Sequence, residues 1–217
     1  MHPTDESYIL KLIDEGEHVH QDFKFAISDA RKIAKSISAF SNTEGGRLLI
    51  GVKDNGKIAG VRSEEEIYMI EAAAKMYCKP EVNISNKIYR VQGKDILEVT
   101  IEESKNKPVC AIDTENKAWA YVRIKDENIL ADTVFLNRWK YNKENERVIV
   151  TYSEREKHLL NVLEKNGELT LNKCSKLSNI PRITTSRLLA DFIRFELVEQ
   201  IFREHTFYFR LKEDITL

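Results

Sequence analysis

Residues 39–60, AFSNTEGGRLLIGVKDNGKIAG, hold five of the chain's eight glycines: Gly45, Gly46, Gly51, Gly56 and Gly60. Such a stretch is either a loop that cradles phosphate or a set of backbone turns. A phosphate loop needs four residues between its glycines and then Lys and Ser or Thr, so that loop amides wrap the phosphate while the lysine reaches its far end. Gly46 and Gly51 have the gap, but Val52 follows and Lys53 comes one place late. Arg47, Leu48, Leu49 and Ile50 between them read as a buried strand, which cannot present a ring of amides. No GxGxxG occurs, and the glycines precede a strand instead of opening a helix. Nucleotide hydrolysis is therefore not expected, and backbone geometry accounts for the glycines.

Working outward, Ala30, Ile33, Ala34, Ile37 and Phe40 recur at helical spacing, which predicts a helix over 29–41 capped by Ser28 or Asp29. Asn42, Thr43 and Gly45-Gly46 stop it, the strand RLLIGV follows, and Asp54-Asn55-Gly56 turns the chain into a returning strand KIAGV. Before this block stand a helix over 5–15, ended by Gly16, and a strand HVHQDFKF. In that strand Val19, Phe23 and Phe25 share one face, and His20, Asp22 and Lys24 share the other. After it come a helix over 64–76, a hairpin in NKIYRVQGKDILEVTIEE, a third hairpin from KPVCAI and AWAYVR, and a helix over 127–141 closing the unit. The charged YNKENER reads as a linker, giving an α+β domain over 1–142, a linker over 143–150 and a second domain over 151–217.

Whole-chain numbers limit function. At 217 residues, 42% hydrophobic, the chain can build two small cores. A net charge of −1 excludes a polycation, so contact with nucleic acid requires a local patch. No apolar run approaches the roughly 20 residues that span a bilayer, and the N-terminus lacks the pattern of a signal peptide. Cys78, Cys110 and Cys174 are odd in number and form no CxxC, which argues against a disulfide framework or structural zinc and for a cytoplasmic setting without membrane partners.

Such a patch lies in the second domain. Between Thr170 and Lys212, eight Lys or Arg face four Asp or Glu, a surplus of four. EREKHLLNVLEKNG, TLNKCSKLSN and the segment after Asn179-Ile180-Pro181 read as three helices, and VEQIF with FYFRL as a hairpin. That order resembles a winged helix-turn-helix, which lays its third helix in the DNA major groove. Arg182, Thr184, Thr185 and Arg187 lie off the apolar face of that helix and are residue types that contact phosphates and base edges. Arg203 in the wing is a phosphate contact. The alternative use of such a domain is protein contact or assembly, including a homo-oligomer.

GEHVHQDFK, AFSNTEGGRLLIGVKDNGKIAGV and NKPVCAIDTENKAWAYVRIKDENILAD together resemble the Schlafen-type AlbA-like domain, over roughly residues 6–140. The resemblance rests on a segment ending in Phe-Lys, the Asn-Thr-x-Gly-Gly turn with its strand, and a Tyr-x-Arg strand. It implies a nucleic-acid-binding module of the kind fused to winged helices in bacterial transcriptional regulators, with DNA favoured over RNA as partner and no cofactor required. The family's arginine matches Arg123, which is read as a contact to nucleic acid or to another subunit, and the cations Lys24 on its strand and Arg47 beside the Gly-Gly turn are further expected nucleic-acid contacts. Some relatives are metal-dependent ribonucleases with three carboxylates, and by position these are Glu17, Asp22 and Asp54, which would hold Mg²⁺ or Mn²⁺. Asp22 stands where the family usually has Glu. Asn42 and Thr43 are read as helix-stopping residues, since a helix C-terminus carries negative partial charge and repels phosphate.

Overall fold

The computed structural model describes residues 5–143 and 153–213. They form two compact units that divide between Leu130 and Ala131. The sequence-predicted linker therefore lies largely outside the described residues.

The first unit begins with α1 (Asp5–Glu15), β1 (Gln21–Lys24), α2 (Ala30–Asn42) and β2 (Gly46–Ile50). β1 and β2 run parallel, Gln21 opposite Arg47, and α2 is the crossover between them. Next come α3 (Glu64–Met76), β3 (Cys78–Lys79), β4 (Ile84–Val91) and β5 (Lys94–Ile101). One sheet has the order β1-β2-β5-β4. A second, of order β3-β6-β7-β8, adds β6 (Cys110–Ile112), β7 (Ala118–Ile124) and β8 (Glu127–Leu130). The segment KIAGV does not return as a strand. Both edges of β2 are already taken, by β1 and β5, so only a single bridge, Val52 to Ile58, remains of the expected hairpin.

α2 organises this unit. Asp29 caps it by accepting from Arg31 N at 2.9 Å. Its apolar residues Ile33, Ala34, Ile37 and Phe40 pack with Leu48, Ile50, Leu97 and Val99 of the first sheet and with Ile70 of α3. Burying a side chain the size of Phe40 contributes about 1.5–3 kcal/mol relative to leaving it exposed. α1 covers the other face of that sheet, where Ile9 and Leu12 meet Phe23, Leu49 and Ile96. The polar side of α2 is buried too, against the second sheet. Asn42 Nδ2 donates to Val109 O (2.7 Å) and Tyr121 O (2.9 Å), and its Oδ1 accepts from Val109 N (2.8 Å). Ser38 Oγ donates to Val109 O and accepts from Tyr121 N, while Thr43 Oγ1 accepts from Arg123 N. The polar end of the helix thus holds strands β6 and β7 by their backbone. The Gly45-Gly46 turn passes so close beneath the helix that a Cβ on Gly46 would stand 2.5 Å from the Phe40 ring.

The expected helix over 127–141 is a strand, β8, followed by α4 (Thr133–Lys143), and α4 belongs to the second unit. Asp132 Oδ1 accepts from Val134 N and Phe135 N at the start of α4, while Oδ2 accepts from Gln200. Val134 enters a core with Leu159, Leu163, Leu189 and Phe209. α4 packs on α7 (Arg182–Arg194), where Asn137 donates to Ser186. The remaining elements are α5 (Glu154–Asn166), β9 (Leu169–Thr170), α6 (Leu171–Ser178), β10 (Val198–Arg203) and β11 (Thr206–Leu211). The last two form a hairpin through Glu204 and His205, both at positive φ, and β9 pairs with β11 to give the order β10-β11-β9.

Candidate functional site

β1 is an edge strand of the first sheet, and side chains occupy its free edge. The Glu17 carboxylate accepts from Phe23 N at 2.8 Å, and Arg123, reaching over from β7, donates to Gln21 O at 3.0 Å. Between them lies Asp22, only 3% exposed, with Arg123 NH2 3.4 Å from one carboxylate oxygen and Lys24 Nζ 2.7 Å from the other. Lys24 also donates to Phe23 O. The alternation grouped Asp22 with His20 and Lys24 on one face, and at Asp22 that face is covered by Arg123 of β7. Burial, then a hydrogen bond with Asp22, pushes the Glu17 carboxyl up to about 7. Near neutrality Glu17 is therefore partly protonated, and Asp22 is matched by two cations.

This arrangement does not fit a divalent cation. Two of the three expected carboxylates, Glu17 and Asp22, are together, but Asp22 already has Lys24 and Arg123 where a metal would supply charge. Asp54 lies exposed in the turn after β2, and among the described residues no three His, Cys, Asp or Glu side chains gather in a metal-binding group. No catalytic step is derived through these residues.

The expected nucleic-acid contacts of this unit are also internally engaged. Arg123, 3% exposed, donates further to Asn128 Oδ1 (3.0 Å) and lies 5.0 Å from the Phe40 ring centroid. Its role is to clamp β7 and β8 to β1. Arg47 Nε sits 3.9 Å from the buried Glu98, which also accepts from Tyr8 at 2.9 Å. Burial, then that hydrogen bond, raises the Tyr8 phenol to about 12. The concavity beside Arg47, about 570 Å³, is lined by Glu44, Glu98, Glu102 and Glu103 as well as His20, a lining that disfavours phosphate.

In the second unit, α6 and α7 form the helix pair expected from the sequence. Arg182 and Arg187 are exposed, and Arg182 Nε donates to Asn172 Oδ1 at 2.9 Å. Thr184 is half-buried. Thr185 is fully buried: its hydroxyl donates to Ile180 O and Pro181 O, so it fastens the turn and is not a surface contact. Arg203 reaches Glu168 at 3.1 Å, and Arg210 is held by Glu168 and Glu199, so the hairpin's cations carry their own counter-charges.

Lys173, Lys176, Arg182 and Arg187 differ from these. None has a carboxylate within 4.0 Å among the described residues, and all four are exposed. The signal for this lies in the sequence, since from Leu169 to Ala190 there is no Asp or Glu. Lys173 and Lys176 on α6 join the site on that ground. Among the described residues no helix is long and apolar enough to cross a membrane.

Comparison with known proteins agrees with the first unit's residues. The family described as Schlafen, AlbA_2 matches residues 17–132. No curated protein matches the sequence. Similar solved structures include two that each match over 56% of this chain at a TM-score of 0.42. One is the DIP2311 protein from Corynebacterium diphtheriae, 20% identical, of which the match covers 24%. The other is the N-terminal domain of a RecG-related protein from Nitrosomonas europaea, 21% identical, covered over 88%.

Proposed function

Because the chain belongs to the Schlafen AlbA_2 family over residues 17–132, we propose that it is a nucleic-acid-binding protein whose second unit, a winged helix-turn-helix, docks on duplex DNA as a transcriptional regulator. One observation carries the reading: the α6–α7 pair bears four exposed cations, Lys173, Lys176, Arg182 and Arg187, over a run of sequence without a single acid. Cations without a carboxylate within ion-pair distance release counterions from a polyanion on binding. Duplex DNA suits the shape, since its major groove of about 12 Å admits a helix whereas the narrow major groove of A-form RNA does not. α7 would enter the groove by its N-terminal turn, with α6 crossing the backbone. Family membership supports nucleic-acid association in general, and three free cysteines accord with a reducing cytoplasm.

Fluorescence anisotropy on duplex DNA over a salt series tests this. Arg182→Ala and Arg187→Ala should each weaken binding and lower the salt slope by about 0.9 for each phosphate the arginine neutralises. Arg203→Ala should lower it less, because Glu168 already holds that cation. If wild type and both helix variants bind alike at every salt concentration, the DNA surface is not there, and a protein-interaction role replaces it.

A further inference from the structure

Ile183 is the second residue of α7, and 68% of it is exposed. It belongs to none of the core clusters among the described residues. Helix propensity does not explain it either, because a β-branched side chain loses χ1 freedom in a helix. Arg182 precedes it and Arg187 follows one turn later on the same face, so an exposed apolar group sits between two cations. The surface complementary to that pair is a polyanion. In its major groove duplex DNA shows phosphates, hydrogen-bonding base edges and one compact apolar group, the 5-methyl of thymine.

We propose that Ile183 is a specificity-determining residue that packs against a thymine 5-methyl in the major groove, so that the recognised sequence contains a thymine opposite the first turn of α7. The inference rests on the DNA-binding reading above and adds a base preference to it. Leu177, 50% exposed, is the other apolar group on this surface, but it lies in the last turn of α6, the helix placed across the backbone where no methyl is presented. Ile183 occupies the turn that reaches base edges. Arg182 and Arg187 supply affinity on either side, and the isoleucine discriminates thymine from cytosine at one position.

A duplex pool of randomised sequence is enriched on the full-length protein, and each thymine of the selected site is replaced in turn by deoxyuridine, which removes only the methyl. Anisotropy then compares wild type with Ile183→Ala. At one thymine, or at it and its symmetry mate, uracil should weaken wild type about fourfold, equivalent to about 0.8 kcal/mol for one methyl-sized group. The Ile183→Ala variant should not distinguish thymine from uracil there. Because the uracil arm uses unaltered protein, folding of the variant does not decide the outcome. If no sequence is enriched, if no thymine responds, or if both proteins respond equally, the inference is overturned while salt-dependent binding through Arg182 still stands. If wild type binds no duplex, the DNA reading and the inference fall together.

Discussion

Arg123 distinguishes a clamp from a ligand contact, because the two roles predict opposite results. Arg123→Met keeps most of the aliphatic stem and removes the guanidinium that reaches Gln21 O, Asn128 Oδ1 and Asp22. Removing one partner from a buried ion pair costs about 3–5 kcal/mol. Lys24, 2.7 Å from Asp22, still offsets part of that charge, which brings this component to about 3 kcal/mol. The lost charged hydrogen bond to Gln21 O, which keeps its bond from His18 N, adds about 1 kcal/mol. With a urea slope of about 2 kcal/mol per molar, the midpoint of the first unit should fall by about 2 M. The chain has two tryptophans, Trp119 on β7 and Trp139 on α4, so a Trp139→Phe background lets Trp119 fluorescence report the first unit alone. DNA affinity measured on protein that remains folded should be unchanged. A midpoint within 0.3 M (about 0.6 kcal/mol) of the parent, together with abolished nucleic-acid binding, would falsify the clamp and restore Arg123 as a contact residue.

Two further outcomes concern the same unit. Glu17 titrates at about 7 when folded against an ordinary 4.5, chiefly through burial and then through Asp22, so its contribution to stability is full below about pH 4.5 and is lost as pH rises through 7. Urea midpoints across pH 4–8 should show that decline, and Glu17→Gln should flatten it; an unchanged profile in the variant assigns the decline elsewhere. Asn42→Asp keeps an acceptor for Val109 N but turns a carboxylate toward Val109 O and Tyr121 O, so it should lower the thermal midpoint more than Asn42→Ala does, and the reverse order would refute the assigned contacts.

The fold was legible where a segment's own periodicity decides its state. α1, α2, α3 and the β4–β5 hairpin follow from apolar spacing and turn residues, and of the two cap candidates, Ser28 and Asp29, the structure uses Asp29. Failures occurred where a distant segment decides. KIAGV has strand composition, yet β5, well downstream in the chain, had already taken the edge of β2. Residues 127–141 carry helical spacing, yet their first four extend β7 as β8, and the helix after them is drawn into the second core by Val134. β3 and β9, two residues each, are too short to carry any period. The polar end of α2 was recognised as structural, but its partners, the backbone of Val109 and Tyr121, could not be read from a local pattern.

Charges follow the same division between local and distant partners. Sequence supplies each cation but not the carboxylate that neutralises it, and in the β-rich first unit that carboxylate comes from far along the chain: Asp22 for Arg123, Glu98 for Arg47. Residue type therefore overstated that unit's basic surface, and three-carboxylate spacing overstated its metal site, since Arg123 and Lys24 stand where a cation would. A helix pair joined by a tight turn differs, because on it the side chains three and four positions apart are neighbours and would supply the counter-charges. From Leu169 to Ala190 the α6–α7 pair carries no acid, so Lys173, Lys176 and Arg182 have no carboxylate three or four positions away, and Arg187, four residues before Asp191, forms no ion pair with it within 4.0 Å. The cations of α6–α7 thus lack close carboxylate partners, whereas the hairpin beside them has Glu168 and Glu199 bound to its arginines.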